Sequence, residues 1–247
     1  MNDYLIKPNE TLDDLQNGYY IIQKKDGFRF GVDAVLLSDF ATLKATDEVL
    51  EMGTGTGIIA ILLYAKKKPK MITAIEIQEE MAEMANRSVI YNKLEEHIKV
   101  ISMDLKDAPK KLGKAVFNAV VTNPPYMKAG CGIVNPSQQQ AISRFEISCT
   151  LEDVLDSAYE VLIPGGRFFM VHRADRLVDI IYNMRIRKIE PKRIRFVHSH
   201  VGKKPHLILI EGLKGGKPEL KFMDPLYIYD EKGQYTKEID DIYGRIK

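Results

Sequence analysis

Residues 47–57 read Asp-Glu-Val-Leu-Glu-Met-Gly-Thr-Gly-Thr-Gly. Glu48 to Met52 carries the apolar residues of a strand, and the glycines after it supply a turn. A helix is predicted from about Ile58 to Ala65, and Met71 to Ile75 is the next strand. The unit is strand, turn, helix, strand, the repeat of a parallel sheet. Its turn lies where open α/β sheets bind ligands. Glycines there let a ligand approach the backbone closely, and a helix N-terminus offers free N–H groups to an anion such as a carboxylate. The Gly-x-Gly-x-Gly spacing departs from the Gly-x-Gly-x-x-Gly of dinucleotide binders and from the Gly-Lys-Ser/Thr ending of a phosphate loop.

Outward from this unit the alternation continues, with a helix from about Glu79 to Asn92 and strands over Ile98 to Ser102 and Asn118 to Thr122. Thr150 is placed to N-cap a helix from Leu151 to Leu162, with Asp153 as its capping partner and Pro164-Gly165-Gly166 as its stop. Arg167 to Val171 reads as a strand and Asp175 to Met184 as a helix. Arg193 to His198 and His206 to Glu211 then form an antiparallel pair. The pattern predicts a doubly wound, mostly parallel α/β sheet with helices on both faces. Upstream, Val35, Leu36, Phe40 and Leu43 fall at helical spacing and predict a helix over 32–43. Tyr19 to Gln23 and Phe28 to Phe30 flank Lys24-Lys25-Asp26-Gly27, a hairpin signal because Asp-Gly supplies the positive φ angles of a tight turn. The tail after Gly216 holds Tyr227, Tyr229, Tyr235 and Tyr243 and is expected to lie back on the rest. One domain is expected over 1–247, with 1–46 as a hairpin and helix appendage, 47–212 as the core and 213–247 as a packed tail.

A chain of 247 residues, 45% hydrophobic and 28% charged, has the composition of an ordinary soluble globular protein and can bury one substantial core. No apolar run approaches the length that crosses a bilayer, and Met1-Asn2-Asp3-Tyr4 lacks a basic segment followed by an apolar one. A cytoplasmic protein without membrane contact is expected. The two cysteines, Cys131 and Cys149, have no metal-ligand spacing and read as free thiols. His198, His200 and His206 lack nearby acids or cysteines, so no metal site is expected. A net charge of +2 is uninformative as a whole, but Arg185, Arg187, Lys188, Lys192, Arg193, Arg195, Lys203 and Lys204 form one basic field.

The chemistry is concentrated in Asn123-Pro124-Pro125-Tyr126, which follows the fourth strand of the repeat and so emerges beside the glycine turn. Tandem prolines fix φ and remove two backbone donors, leaving rigid carbonyls. The Asn123 side-chain oxygen and the Pro124 carbonyl can together accept both hydrogens of a planar NH2 group. Polarising those N–H bonds readies the nitrogen for in-line attack on an activated methyl, a reaction that needs positioning more than a strong base. Tyr126 is placed to stack on the planar group that carries the nitrogen. Glu76 ends the second strand, where an acid accepts hydrogen bonds from ribose hydroxyls, and Asp104 follows the third strand, where it meets an adenine amino group.

Glu51 with Gly53, Thr54, Gly55, Thr56 and Gly57 resembles the first motif of class I methyltransferases, and the acid then lies near the methionine amino group of S-adenosylmethionine. Over essentially its whole length the chain resembles the bacterial tRNA1(Val) adenine N6-methyltransferase family. The resemblance includes Phe28 to Leu37, Asn123 to Tyr126, Ala141 to Glu146 and Val171 to Leu177. It implies a Rossmann-like, seven-stranded sheet whose last strand is antiparallel. It also implies S-adenosylmethionine as cofactor and an adenine N6 near a tRNA anticodon as substrate. By that resemblance Asn123, Pro124, Pro125 and Tyr126 are the catalytic pocket, and Arg29, Gly31, Asp33, Ile77 and Leu105 join the motif residues at the cofactor.

The same four-residue motif also serves guanine N2 methyltransferases of ribosomal RNA and enzymes that methylate a protein glutamine. This sequence lacks the helical N-terminal domain of the latter and the duplicated domain of many of the former. A module that keeps cofactor without turnover and scaffolds RNA is a further reading, against which the intact motif counts. An RNA substrate makes Arg144, Arg173, Lys192, Arg193, Arg195, Lys203 and Lys204 candidate contacts. Residues 127–140 are long enough for a lid over the substrate, and a monomer or weak dimer is expected.

Overall fold

The structure, a computed structural model, describes residues 5–16, 18–26, 30–124 and 149–245. Two short strands, β1 (Glu10–Asp14) and β2 (Tyr20–Lys24), pair antiparallel ahead of helix α1 (Val32–Phe40). The core follows as β3 (Glu48–Met52), α2 (Ile58–Lys67), β4 (Met71–Glu76), α3 (Glu79–Tyr91) and β5 (Ile98–Ser102). A short helix α4 (Ala108–Lys111) leads to β6 (Phe117–Thr122). After it come α5 (Leu151–Val161), β7 (Leu162–Arg173), α6 (Leu177–Ile186), β8 (Ile189–His198) and β9 (Pro205–Lys214). The tail adds two-residue strands β10 (Lys221–Phe222) and β11 (Leu226–Tyr227) and helix α7 (Lys237–Tyr243).

Apart from the β1–β2 pair, the strands form one sheet in the order β10-β8-β9-β7-β6-β3-β4-β5, with β11 also on β8. β3 to β7 run parallel to one another, whereas β9 is antiparallel to both β7 and β8. The seven long strands are those of the expected Rossmann-like sheet, and β10 and β11 are tail additions. Sheet residues alternate between two apolar layers: Phe169 and Val171 face α1, α2 and α7, while Phe168 and Met170 face α5 and α6. Thr150 and Asp153 form a reciprocal capping box on α5, as its sequence predicts.

The expected N-terminal hairpin is present, and its described strands are Glu10–Asp14 and Tyr20–Lys24, turned through Gln16 and Gly18 at φ 68° and 81°. Phe30 belongs to no strand and donates its N–H to Gln23 Oε1 at 3.1 Å; Gly27 to Arg29 lie outside the described residues. The strand choice is made by long-range contacts. Arg87 of α3 is buried against Glu10 at 2.6 Å and 2.7 Å and also bonds Glu83, and Ser88 Oγ accepts the Ile22 N–H at 3.0 Å. These bonds hold the hairpin to the core. Helix α1 ends at Phe40, short of the expected Leu43.

Candidate active site

Strand register places the chemistry on one edge. Met52 is level with both Ile75 and Thr122, and Glu76 is level with Ser102. Gly53, Ile77, Asp104 and Asn123 therefore leave the sheet together at its C-terminal end, and a Thr122 Oγ1 bond to the Met52 carbonyl joins the two strands just beneath Asn123 and Gly53. They border an open cleft that Leu105, Pro124 and Val154 help to line.

The glycine turn takes left-handed backbone at Gly53, Gly55 and Gly57, with φ of 73°, 57° and 90°. A Cβ on Gly53 or Gly55 would meet no neighbour within 4 Å, so both present bare backbone to the space beside them. A Cβ on Gly57 would lie 3.2 Å from the Cβ of Ala85, and this glycine serves helix packing. Thr54 is buried, and its Oγ1 donates to Glu51 Oε2 at 2.8 Å. Glu51 is fully buried and its other oxygen, Oε1, has no hydrogen-bond partner among the described residues. Burial, assisted by the Glu76 charge, lifts the Glu51 carboxyl to about 8. A buried carboxylate with an orphaned oxygen is a site for a cation.

Glu76 is also buried, which raises its carboxyl above the ordinary range, while N–H groups of Gln78 and Gly55 donate to it at 3.0 Å and 2.9 Å. Those bonds tie the acid at the end of β4 to the glycine turn. Asp104 caps the turn that follows β5 by accepting the Lys106 N–H at 2.9 Å, and its carboxylate edges the cleft. Ile77, 41% exposed despite being apolar, stands at the same mouth near Leu105. An apolar pair beside an acid suits a flat, amine-bearing ring.

Asn123 Nδ2 donates to Asp33 Oδ2 at 3.1 Å. A carboxylate only accepts, so the nitrogen side of the amide must face it and Oδ1 is turned to the opposite side. Asp33 sits in the first turn of α1, and Gly31 makes room for it: a Cβ there would lie 2.6 Å from Asp33 Oδ1. Asp33 is in the resemblance-based set, but as a cofactor neighbour; its bond to Asn123 has no signature in sequence. Pro125, Tyr126, Arg29, Arg144, Cys131 and residues 127–140 lie outside the described residues. Cys149 is a free thiol at the cleft, and burial pushes it up to about 12.

The basic candidates separate. Arg173 pairs with Asp175 at the site end of β7. Arg193 bonds Glu211 and the Phe40 carbonyl, Arg195 bonds Glu238 and the Asp224 carbonyl, and Lys192 donates to the Lys217 carbonyl. These three fasten α1 and the tail to β8. Lys203 and Lys204 are exposed and make no ion pair with a described residue. Among the described residues no group of His, Cys, Asp and Glu gathers as a metal site, and no helix is long and apolar enough to cross a membrane.

The family profile described as methyltransferase small domain matches residues 30–187. A tRNA1(Val) (adenine(37)-N6)-methyltransferase of Porphyromonas gingivalis is 29% identical over 218 residues, 85% of each chain. One from Tolumonas auensis is 26% identical over 92% of this chain and 95% of its own. Among solved structures, a predicted O-methyltransferase from Agrobacterium tumefaciens superposes with a TM-score of 0.68 at 23% identity, over 86% of this chain and 95% of that one. The M. jannaschii tRNA m1G37 methyltransferase gives 0.57 at 18% identity, over 85% and 58%. Both structures share the fold.

Proposed function

The chain belongs to the methyltransferase small domain family, and from this premise we propose that it methylates N6 of an adenine beside the anticodon of a tRNA, using S-adenosylmethionine. The observation that carries the reading is the bond from Asn123 to Asp33, which turns the amide nitrogen toward the carboxylate and supports a role for the amide oxygen as the acceptor of the target amine. The names of the two tRNA methyltransferase relatives favour adenine over guanine N2 or a protein glutamine, which the same acceptor pair would also fit.

The residues present fit the cofactor. Glu51 Oε1, buried without a partner, receives the methionine ammonium, and the bare turn from Gly53 to Gly57 with Thr54 and Thr56 receives the carboxylate. Glu76 accepts the ribose hydroxyls, Asp104 accepts the adenine amine, and Ile77 and Leu105 flank the ring. By the family resemblance Arg29 and Gly31 are assigned to the methionine end, whereas Asp33 acts through Asn123. When bound, S-adenosylmethionine supplies an electrophilic methyl on sulfur.

Asn123 Oδ1 and the Pro124 carbonyl accept the two hydrogens of the target amine, which turns the nitrogen lone pair toward the cofactor and raises its density. Pro125 stiffens the turn and Tyr126 stacks on the base. An adenine stacked in a loop has to leave the stack to reach this pocket. The chain is proposed to work as one unit over 1–247, in the cytoplasm, as a monomer or weak dimer and without metal. Incubation with methyl-labelled cofactor, unmodified tRNA and a protein extract tests the substrate class. Label in tRNA supports the reading, and label confined to protein overturns it.

A further inference from the structure

The tail carries a stack of aromatic rings. His200 and Tyr229 have centroids 5.3 Å apart, Tyr229 and Tyr235 are 5.3 Å apart and 10° from parallel, and Tyr235 and Tyr243 are 5.9 Å apart at 21°. The Arg245 guanidinium lies over the Tyr235 and Tyr243 rings, 5.1 Å and 4.3 Å from their centroids. Beside this stack, His198 packs on Tyr227 at 5.3 Å. Ile239 and Ile242 are buried in the apolar layer beneath, and the tyrosines, only partly buried, rest on it with part of their surface open to solvent.

Register places the stack at the reactive edge. Thr122 is level with Met170, Met170 with Ile210, Arg173 with Leu207, and Leu207 with Val197. The turn between β8 and β9, residues 199–204, therefore projects beyond the strand ends on the side where Asn123 emerges. That turn presents His200, the first ring of the stack, together with the exposed Lys203 and Lys204. At the other end, α7 packs on α1, and Tyr243 lies near enough to Asp33 that the carboxylate, after burial and the Tyr235 ring, helps hold its phenol up at about 12. The stack thus runs from the lysine-bearing turn to the helix that holds the Asn123 partner.

We infer that the His200–Tyr229–Tyr235–Tyr243 stack with Lys203, Lys204 and Arg245 is a platform for the unpaired nucleotides next to the methylated base. Flat rings in series offer stacking to bases of any identity, and the exposed Lys203 and Lys204, which make no ion pair with a described residue, hold the phosphates, while Arg245 is shared between Asp240 and the rings. A base pulled out of an anticodon loop leaves its neighbours unstacked, and a platform adjoining the pocket restores that stacking. The inference rests on the RNA reading above.

The test compares wild type, Tyr235→Ala, Tyr235→Phe and the double variant Lys203→Glu/Lys204→Glu on an unmodified tRNA transcript. KM for tRNA, kcat, the cofactor Kd and the salt dependence of RNA binding are measured. Tyr235→Ala should raise the tRNA KM roughly tenfold and Tyr235→Phe less than about threefold, with kcat and cofactor Kd within about twofold. The double variant should raise KM at least as much and flatten the plot of log affinity against log salt by about two charges' worth. Unchanged KM in the double variant overturns the platform, and that variant alone decides if Tyr235→Ala does not fold. Wild type that methylates no tRNA defeats the RNA reading itself, whereas active wild type with indifferent variants defeats only the platform.

Discussion

Asn123 and Asp33, ninety positions apart in the chain, meet through an Nδ2 to Oδ2 bond of 3.1 Å at the mouth of the cleft. The carboxylate locks the orientation of the amide, so Asp33 acts on the reaction through Asn123 as a positioning residue. Replacing it by Ala should lower kcat by about tenfold to a hundredfold, the size expected for one charge-assisted hydrogen bond of about 1.5–3 kcal/mol. Asp33→Asn should lie between Ala and wild type, because a neutral oxygen can still accept from the amide. Cofactor Kd measured by calorimetry should move less than about threefold. A loss of cofactor binding that matches the loss of rate would make Asp33 a cofactor ligand instead.

Glu51 predicts a pH dependence with a definite sign. Its folded carboxyl is raised from 4.5 to about 8 by burial, so between those values the folded state holds more protons than the unfolded one. Stability of the cofactor-free protein should therefore be full below about pH 4.5 as far as this group is concerned, and should fall as pH rises toward 8. Glu76, raised in the same direction, adds to the slope. Glu51→Gln should flatten the decline in Tm between pH 5 and 8 and weaken cofactor binding by about tenfold to a hundredfold. A variant with unchanged affinity would mean that the orphaned oxygen does not meet the cofactor.

Arg87 predicts where the hairpin is held. Its guanidinium sits among Glu10, Glu83 and the Leu5 carbonyl, and Glu10 is held below the usual glutamate range chiefly by its hydrogen bonds to Arg87. Arg87→Leu strands a buried carboxylate and should cost about 3–5 kcal/mol in urea unfolding. Since the Glu10 pKa is depressed, this contribution is complete above its ordinary 4.5 and disappears as pH falls through the folded value. The difference between wild type and variant should therefore shrink in acid. An equal difference at pH 7 and at pH 3 would refute the ion-pair account.

Two glycines of one turn should fail differently. Gly57→Ala places a Cβ at φ 90° and 3.2 Å from Ala85, and should cost about 1–3 kcal/mol of stability. Gly55→Ala carries the backbone strain of φ 57° but has no neighbour to strike, so it should cost less stability than Gly57→Ala and weaken cofactor binding more, because its Cβ enters the open side of the turn. Thermal melts with and without S-adenosylmethionine separate the two, and a Gly55→Ala protein that gains the same Tm from cofactor as wild type would contradict the assignment.

The sheet was readable from sequence where local pattern and tertiary role coincide. Glu48 to Met52 and Ile98 to Ser102 are strands with the predicted bounds, and Thr150 with Asp153 caps α5, because apolar runs, glycines and caps act over a few residues. The strand Glu10–Asp14 was not, since its hold on the core depends on Arg87, more than seventy residues away from Glu10. The polar strand Glu-Thr-Leu-Asp-Asp has little β propensity to announce itself. In the site, single acids at strand ends were legible by position, whereas the Asp33 to Asn123 bond and the ring stack of the tail depend on packing between distant segments. Basic residues show the same limit from the other side: Arg193 and Arg195 look like Lys203 and Lys204 in sequence, but the arginines are engaged in holding the tail.

The central claim is tested most directly by digesting a tRNA transcript to nucleosides after reaction with S-adenosylmethionine and wild-type or Asn123→Ala protein. The account predicts up to one N6-methyladenosine per tRNA with wild type. It predicts a loss of at least about a thousandfold in rate with Asn123→Ala, at a cofactor Kd within about threefold of wild type. Methylguanosine as the product, or an Asn123→Ala protein that methylates at the wild-type rate, would contradict it.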